Sequence, residues 1–253
     1  MGAFRRIVLG AGAVVAVSAA LAIPVAPAGA SQVAAHRPFV GRSVGPAVAP
    51  GLTHSSSSNW AGYAAYNSTF TSVSASWVQP AVTCSSRTTY SSFWVGLDGY
   101  NSNSVEQTGT EADCYGGVAY YSSWYEIYPA YPVNYSNTVA PGDSFTASVT
   151  YTSGHFVLVL TNNTRGWSHT TTATYSAAVR SSAEVIAEAP SSSTGVLPLA
   201  NFGTVNFTSS KANGSAIGSF TTDPITMASG STTKASVSAL SSSTNFSVTW
   251  HHT

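Results

Sequence analysis

Between Phe145 and Tyr151 every second residue is apolar, with Thr146, Ser148 and Thr150 in between. A period of two puts one set of side chains on one face of an extended strand. Runs rich in Val, Thr, Tyr, Phe and Trp recur from Asn59 to the end: Thr71–Val78, Ser91–Val95, Gly117–Tyr125, Ser144–Thr152, Phe156–Thr161, Thr171–Val179, Glu184–Ala187, Gly203–Phe207, Ala235–Ala239 and Asn245–Trp250. Such residues suit a pleated, half-buried surface. Turn formers separate the runs, among them Pro141-Gly142-Asp143, Ser153-Gly154 and Asn213-Gly214. No long helical period with caps and no fixed-length repeat is visible, which excludes a bundle and argues against a propeller. Many short strands in one domain predict an all-β sandwich or barrel.

The N-terminal part reads differently. Arg5 and Arg6 precede an apolar run, Ile7 to Leu21, and Ala28-Gly29-Ala30 offers a small-x-small cleavage site. This is the pattern of a secretory signal over residues 1–30, too short and too rich in small residues for a membrane span. Residues 31–54 hold Pro38, Pro46, Pro50, His36, Arg37 and Arg42 and no acid, the composition of a linker or propeptide. The domain is expected over 55–253. A cationic segment ahead of a domain that carries all nine acids of the chain is suited to dock on it at neutral pH. After leader removal no stretch remains that could span a bilayer, and a secreted, extracellular monomer is expected.

Only 7% of residues are charged and the net charge is zero, so nothing favours nucleic acid. Acid denaturation comes largely from protonating paired carboxylates and charging buried histidines. A chain with few of either is compatible with an acidic medium, and equally with a neutral, hydroxyl-rich surface that has no acid habit. Cys84 and Cys114 are the only cysteines. In a secreted chain an even pair predicts one disulfide.

Motif searching narrows the chemistry. There is no Gly-x-Ser-x-Gly, no His-Glu-x-x-His and no phosphate loop. The histidines sit peripherally: His36 and His54 in the linker, His155 in a turn, His169 after a turn, and His251 and His252 at the end. Cysteines tied in a disulfide leave no thiolate nucleophile, and two cysteines without further ligands do not make a zinc site. Carboxylates and amides remain. Asp143 and Asp223, beside Pro-Gly and Pro224, read as turn residues. The other acids lie in or beside aromatic strand segments, where burial would raise their pKa and let them hold a proton usefully at low pH. Glu184, Ile186 and Glu188 share one strand face. That face is either a solvated edge or the lining of a cleft.

Five segments, in order, carry a resemblance. They are Ser58-Asn59-Trp60-Ala61-Gly62-Tyr63, Trp94-Val95-Gly96-Leu97-Asp98-Gly99, Glu106-Gln107-Thr108-Gly109, Trp124-Tyr125-Glu126-Ile127-Tyr128-Pro129 and Ala183-Glu184-Val185-Ile186-Ala187-Glu188. Together they resemble the eqolisin family of glutamic peptidases. The resemblance implies an antiparallel β-sandwich of two large sheets, lectin-like in outline, with the site on the concave sheet. It implies an endopeptidase acting on protein or peptide substrates in acid, with no metal and no cofactor. Gln107 and Glu188 take the catalytic positions, with Glu184 the same-face neighbour of Glu188. Asp98, Trp124 and Glu126 fall in supporting positions of the cleft, and Trp60, Trp94 and Trp124 are candidates to wall it and grip substrate. Core packing is the competing role for these tryptophans. The chain departs from the family in its few acids and cysteines and in Ile127, where an aromatic is common.

Two rival readings stand beside this one: a carbohydrate-binding sandwich with aromatic sugar platforms, and a glycosidase using two carboxylates. Asn67, Asn134, Asn162, Asn206, Asn213 and Asn245 lie in glycosylation sequons.

Overall fold

The computed structural model describes residues 41–43 and 55–253. The expected signal segment and most of the expected linker lie outside them. Within the segment read as linker, Gly41–Ser43 pairs antiparallel with Ser55–Ser57.

Two sheets stack face to face. The first runs, strand beside strand, Ser55–Ser57, Thr221–Ser229, Trp60–Tyr66, Ser182–Glu188, Ser92–Leu97, Val105–Tyr115, Val118–Tyr128 and Val133–Tyr135. The second runs Thr232–Val237, Phe246–Trp250, Thr204–Ala212, Ser72–Val78, Ser144–Thr152, His155–Asn162 and Trp167–Ala173. All these pairings are antiparallel except that of Ser55–Ser57 with Thr221–Ser229. The sheets connect where Thr221–Ser229 pairs with Thr232–Val237. Among the described residues the helical content is one 3-10 turn, Ile217–Ser219.

The alternation read from sequence decides what fills the space between the sheets. Phe145, Ala147 and Val149 meet Val73, Ala75 and Trp77 from the neighbouring strand, and Ala183, Val185 and Ala187 come from the opposite sheet. Burying a large apolar side chain contributes about 1.5–3 kcal/mol, so this inner layer carries most of the stability. The first sheet also has an apolar cluster on its other face: Trp60, Ala64, Trp94, Val105, Trp124, Ile186 and Ile225. The same strand therefore sends Val185 inward and Glu184, Ile186 and Glu188 outward.

Cys84 and Cys114 form the expected disulfide, with Cα atoms 5.4 Å apart. It ties the 79–91 loop to the end of the Val105–Tyr115 strand. Asp143 is the turn residue expected, and Arg165 pairs with it at 2.6 Å.

Three expectations are corrected. The run Thr171–Val179 is strand only at its start: the strand is Trp167–Ala173, and further on the amides of Val179, Arg180 and Ser181 are spent on the Asp98 carboxylate instead. Asp223 is not a turn residue. It lies inside Thr221–Ser229, where its carboxylate accepts the Ser55 amide and the Tyr100 hydroxyl rather than closing a local turn. Finally, Val105–Tyr115 is a full strand where no apolar run predicts one.

Candidate active site

The outer face of the first sheet is built in cross-strand rows. Glu184, Gly96, Gln107 and Glu126 form one row. Ile186, Trp94, Gly109 and Trp124 form the next, and Glu188, Ser92, Glu111 and Ser122 the third. Trp60 stands opposite Glu188 on the other side. Gln107 and Glu188 therefore flank the Trp94 row, two rows apart. Glycine is required in that middle row: a Cβ on Gly109 would collide with the backbone of Phe93 and come within 2.6 Å of Trp94 Cβ. Its missing side chain lets the neighbouring Phe93–Trp94 backbone and the Trp94 side chain pack directly on the strand.

Glu188 and Gln107 are held by named partners. Trp94 Nε1 donates to Glu188 Oε2 at 2.8 Å, and Asn59 Nδ2 donates to Oε1 at 3.3 Å. Asn59 is itself oriented by Ser57, whose hydroxyl donates to Asn59 Oδ1 and accepts the amides of Asn59 and Trp60. The Trp60 and Trp94 rings meet edge to face, 5.0 Å between centroids and 76° between planes. Across the Trp94 row, Gln107 Nε2 donates to Glu126 Oε2 at 2.8 Å. Trp124 is fixed through its carbonyl, which accepts the Thr108 hydroxyl.

The other two predicted site residues are placed differently. Asp98 is buried at a positive φ of 67°, and its carboxylate accepts three successive amides, Val179 to Ser181, and the Ser181 hydroxyl. It thereby ties down the segment that leads into the Ser182–Glu188 strand. For Glu184, no protein group reaches hydrogen-bonding geometry with either carboxyl oxygen. Burial pushes its pKa well above the usual carboxylate range; the Asp98 and Glu106 charges add to this, while the Ser182 hydroxyl and Tyr100 amide, acting at longer range, oppose it. Glu106 is similar: burial, then the Asp98 charge, push it up to about 8 against the pull of the Ser104 hydroxyl.

The structure thus brings Gln107, Glu126, Glu184, Glu188, Trp60, Trp94 and Trp124 onto one face, and puts Asp98 at its edge as an anchor. All are fully enclosed, each with 0% of its surface exposed. Sequence reasoning passes over Asn59; its signal was its place just before Trp60 in the first of the five segments. Among the described residues no group of three or more His, Cys, Asp or Glu is arranged to hold a metal ion, and no helix is long and apolar enough to cross a membrane. His155, His251 and His252 lie at the surface and His169 stacks on Tyr135, all away from this face.

Comparison with known proteins fits this geometry. Residues 58–250 match the peptidase A4 family. Aspergillopepsin-2 of Aspergillus niger is 30% identical over 191 residues, covering 64% of this chain and 67% of that protein. Among solved structures, scytalido-glutamic peptidase with a transition state analog inhibitor superposes with a TM-score of 0.67 at 28% identity, over 77% of this chain and 98% of that one. SCP-B, a member of the eqolisin family in complex with the tripeptide Ala-Ile-His, gives a TM-score of 0.63 at 27% identity with the same coverage. Aspergilloglutamic peptidase from Aspergillus niger gives 0.57 at 27% identity, over 64% of this chain and 99% of that one. These matches decide against the sugar-binding and glycosidase readings. The chain belongs to the peptidase A4 family, the eqolisins, and is a hydrolase of the glutamic peptidase type.

Proposed function

We propose that this protein is a secreted endopeptidase that cleaves protein substrates in acid, with Glu188 and Gln107 as the catalytic pair. The observation that carries the assignment is the pair of donors on Glu188: an indole and an amide N–H, one to each oxygen. A general base must carry charge at the working pH, and two fixed donors suit a carboxylate acceptor. Glu184, desolvated and with no donor in hydrogen-bonding geometry, has its pKa raised, which disfavours the charged form a general base needs.

In this reading the scissile carbonyl sits over the Trp94 row, between Gln107 and Glu188. Glu188 takes a proton from water, and the hydroxide attacks the carbonyl carbon. Gln107 donates one amide N–H to Glu126, which sets the orientation of the amide, and a carboxamide of that orientation would donate to the tetrahedral oxyanion. Glu188 then returns its proton to the leaving nitrogen as the C–N bond breaks. Glu126 is a positioning residue that fixes which end of the amide faces the substrate. Asp98 positions the strand, and Trp60, Trp94 and Trp124 wall the cleft.

The test is hydrolysis of denatured protein from pH 2 to 7 by the processed enzyme. Gln107→Ala and Glu188→Ala should each lose on the order of 100-fold or more in kcat, the scale of losing one oxyanion donor or an essential base. Full activity in Glu188→Ala together with loss in Glu184→Ala would move the catalytic role to Glu184.

A further inference from the structure

In the row that carries Glu188, the neighbouring strand places Ser92 directly opposite it, and Glu111 stands on the far side of Ser92. Phe93 belongs to the inner core and Trp94 to the outer cluster. Alternation therefore turns the Ser92 side chain to the outer face, beside Glu188. Directly opposed residues of an antiparallel pair have Cβ atoms roughly 4.5–5.5 Å apart.

Ser92 has 0% of its surface exposed, and its hydroxyl finds no hydrogen-bond partner among the described residues. Its neighbours in the row are bonded to other groups. Glu188 accepts Trp94 Nε1 and Asn59 Nδ2, and Glu111 accepts the Ser122 hydroxyl at 2.9 Å. An unpaired buried hydroxyl is destabilising. Folding therefore does not account for a serine here, since alanine would fill the position without that penalty. The buried hydroxyls of Ser104, Ser123, Ser182 and Ser210 share this condition, but none of them lies in the Glu188 row. An unsatisfied polar group beside a candidate base calls for a partner from outside the protein. A hydroxyl and a carboxylate on facing strands, close but not bonded to each other, are spaced for a water that bridges them.

We propose that Ser92 is a further catalytic residue whose hydroxyl, together with Glu188, holds the attacking water. The inference rests on the assignment of Glu188 above. The water donates one hydrogen to Glu188 and the other to Ser92 Oγ, which turns its own O–H toward Glu111. A lone pair of the water then faces the Trp94 row, over which the scissile carbonyl lies. On attack, the first proton passes to Glu188 and the water oxygen bonds to the carbonyl carbon. Ser92 loses no proton and stays hydrogen-bonded to the new hydroxyl of the tetrahedral intermediate. A serine hydroxyl suits this role because it donates and accepts without ionising in acid.

The experiment is steady-state hydrolysis by the processed enzyme as wild type, Ser92→Ala and Ser92→Thr, with a thermal melt of each. Ser92→Ala should lower kcat about five- to tenfold, the scale of one neutral hydrogen bond. KM should stay unchanged, the pattern of an interaction that serves the transition state rather than binding. The melting temperature of Ser92→Ala should equal or exceed that of wild type, because an unpaired hydroxyl has been removed. The acid limb of its pH profile should stay in place, because the indole and amide donors on Glu188 remain. Ser92→Thr keeps the hydroxyl and should retain most of kcat. Should Ser92→Ala fail to fold, Ser92→Cys, similar in size with sulfur as a weak acceptor, should show the same fall in kcat at constant KM. Wild-type kcat in Ser92→Ala would overturn the proposal. So would a rise in KM alone, or a loss of kcat that follows a lowered melting temperature and is shared by Ser92→Thr. Each of these leaves the Glu188 assignment standing if Glu188→Ala is inactive, whereas full activity of Glu188→Ala would overturn both.

Discussion

Trp94 Nε1 lies 2.8 Å from Glu188 Oε2, so the wall of the cleft and its candidate base are one hydrogen-bonded unit. Trp94 and Glu188 sit on adjacent strands one row apart, and the Trp60 ring closes the other side of the indole. The tryptophan has both roles weighed from sequence. It packs in an apolar cluster, and its one polar atom serves the site.

This relationship predicts the behaviour of Trp94→Phe. The ring and most of its packing remain, while Glu188 loses the indole donor. A hydrogen bond to a charged group is worth about 1.5–3 kcal/mol, so kcat/KM should fall roughly 10- to 100-fold. The acid limb of the kcat/KM–pH profile should rise in pH, because the carboxylate form has lost support. A profile with an unmoved limb would mean that the indole only packs.

The Gln107–Glu126 pair gives a second prediction. Glu126→Gln replaces a carboxyl acceptor with an amide and lets the two facing amides pair in either orientation. We expect kcat to drop about tenfold or more with KM nearly constant, the pattern of an interaction made only in the transition state. A rise in KM alone would assign Glu126 to substrate contact instead.

Much of this was legible in the residues before any coordinates. Alternation in Phe145–Tyr151 and around Glu184 told which side chains face inward, because period two and burial coincide there. The strand carrying Gln107 escaped for a physical reason. Both of its faces are polar: Gln107 and Glu111 look outward to the site, and Thr110 points inward, where it accepts Trp77 Nε1. A strand whose residues are chosen for chemistry carries no hydrophobic period, and only the five ordered segments revealed it. Asp223 misled because Asp-Pro is a turn signal, whereas here the carboxylate's partners, Ser55 and Tyr100, are more than a hundred residues away in the chain. Nothing local encodes such a bond. The same holds for Asn59 and Glu188, separated by 129 residues.

Glu106 and Glu184 set a pH dependence of stability. Both have folded-state pKa values above their unfolded ones, Glu106 at about 8. Between an unfolded value near 4.5 and the folded value, the native state binds more protons than the unfolded state, so stability falls as pH rises. Below that window the contribution is fully present. The melting temperature should therefore be highest in acid and decline toward pH 8. Glu106→Gln, neutral at every pH, should flatten the decline while changing little at pH 4. Thermal melts of both proteins at pH 4 and 7.5 check this. An equal slope in the variant would clear Glu106 of the effect.

The final prediction concerns access. Gln107, Glu126 and Glu188 have 0% of their surface exposed in the 253-residue chain, and a protein substrate cannot reach atoms that water cannot. Some part of the chain must leave or move before catalysis. Residues 31–54 carry His36, Arg37 and Arg42 and no acid, ahead of a domain with all nine carboxylates. Attraction between the two is strongest when the carboxylates are ionised and weakens as they are protonated. A chain beginning at Ser55 should therefore be more active than one beginning at Ser31, with the difference largest near pH 6 and smallest near pH 3. Adding residues 31–54 back as a peptide should inhibit the shorter form, more weakly at high salt, since screening acts on exposed charges. Equal activity of the two forms across the pH range would show that another segment closes the site.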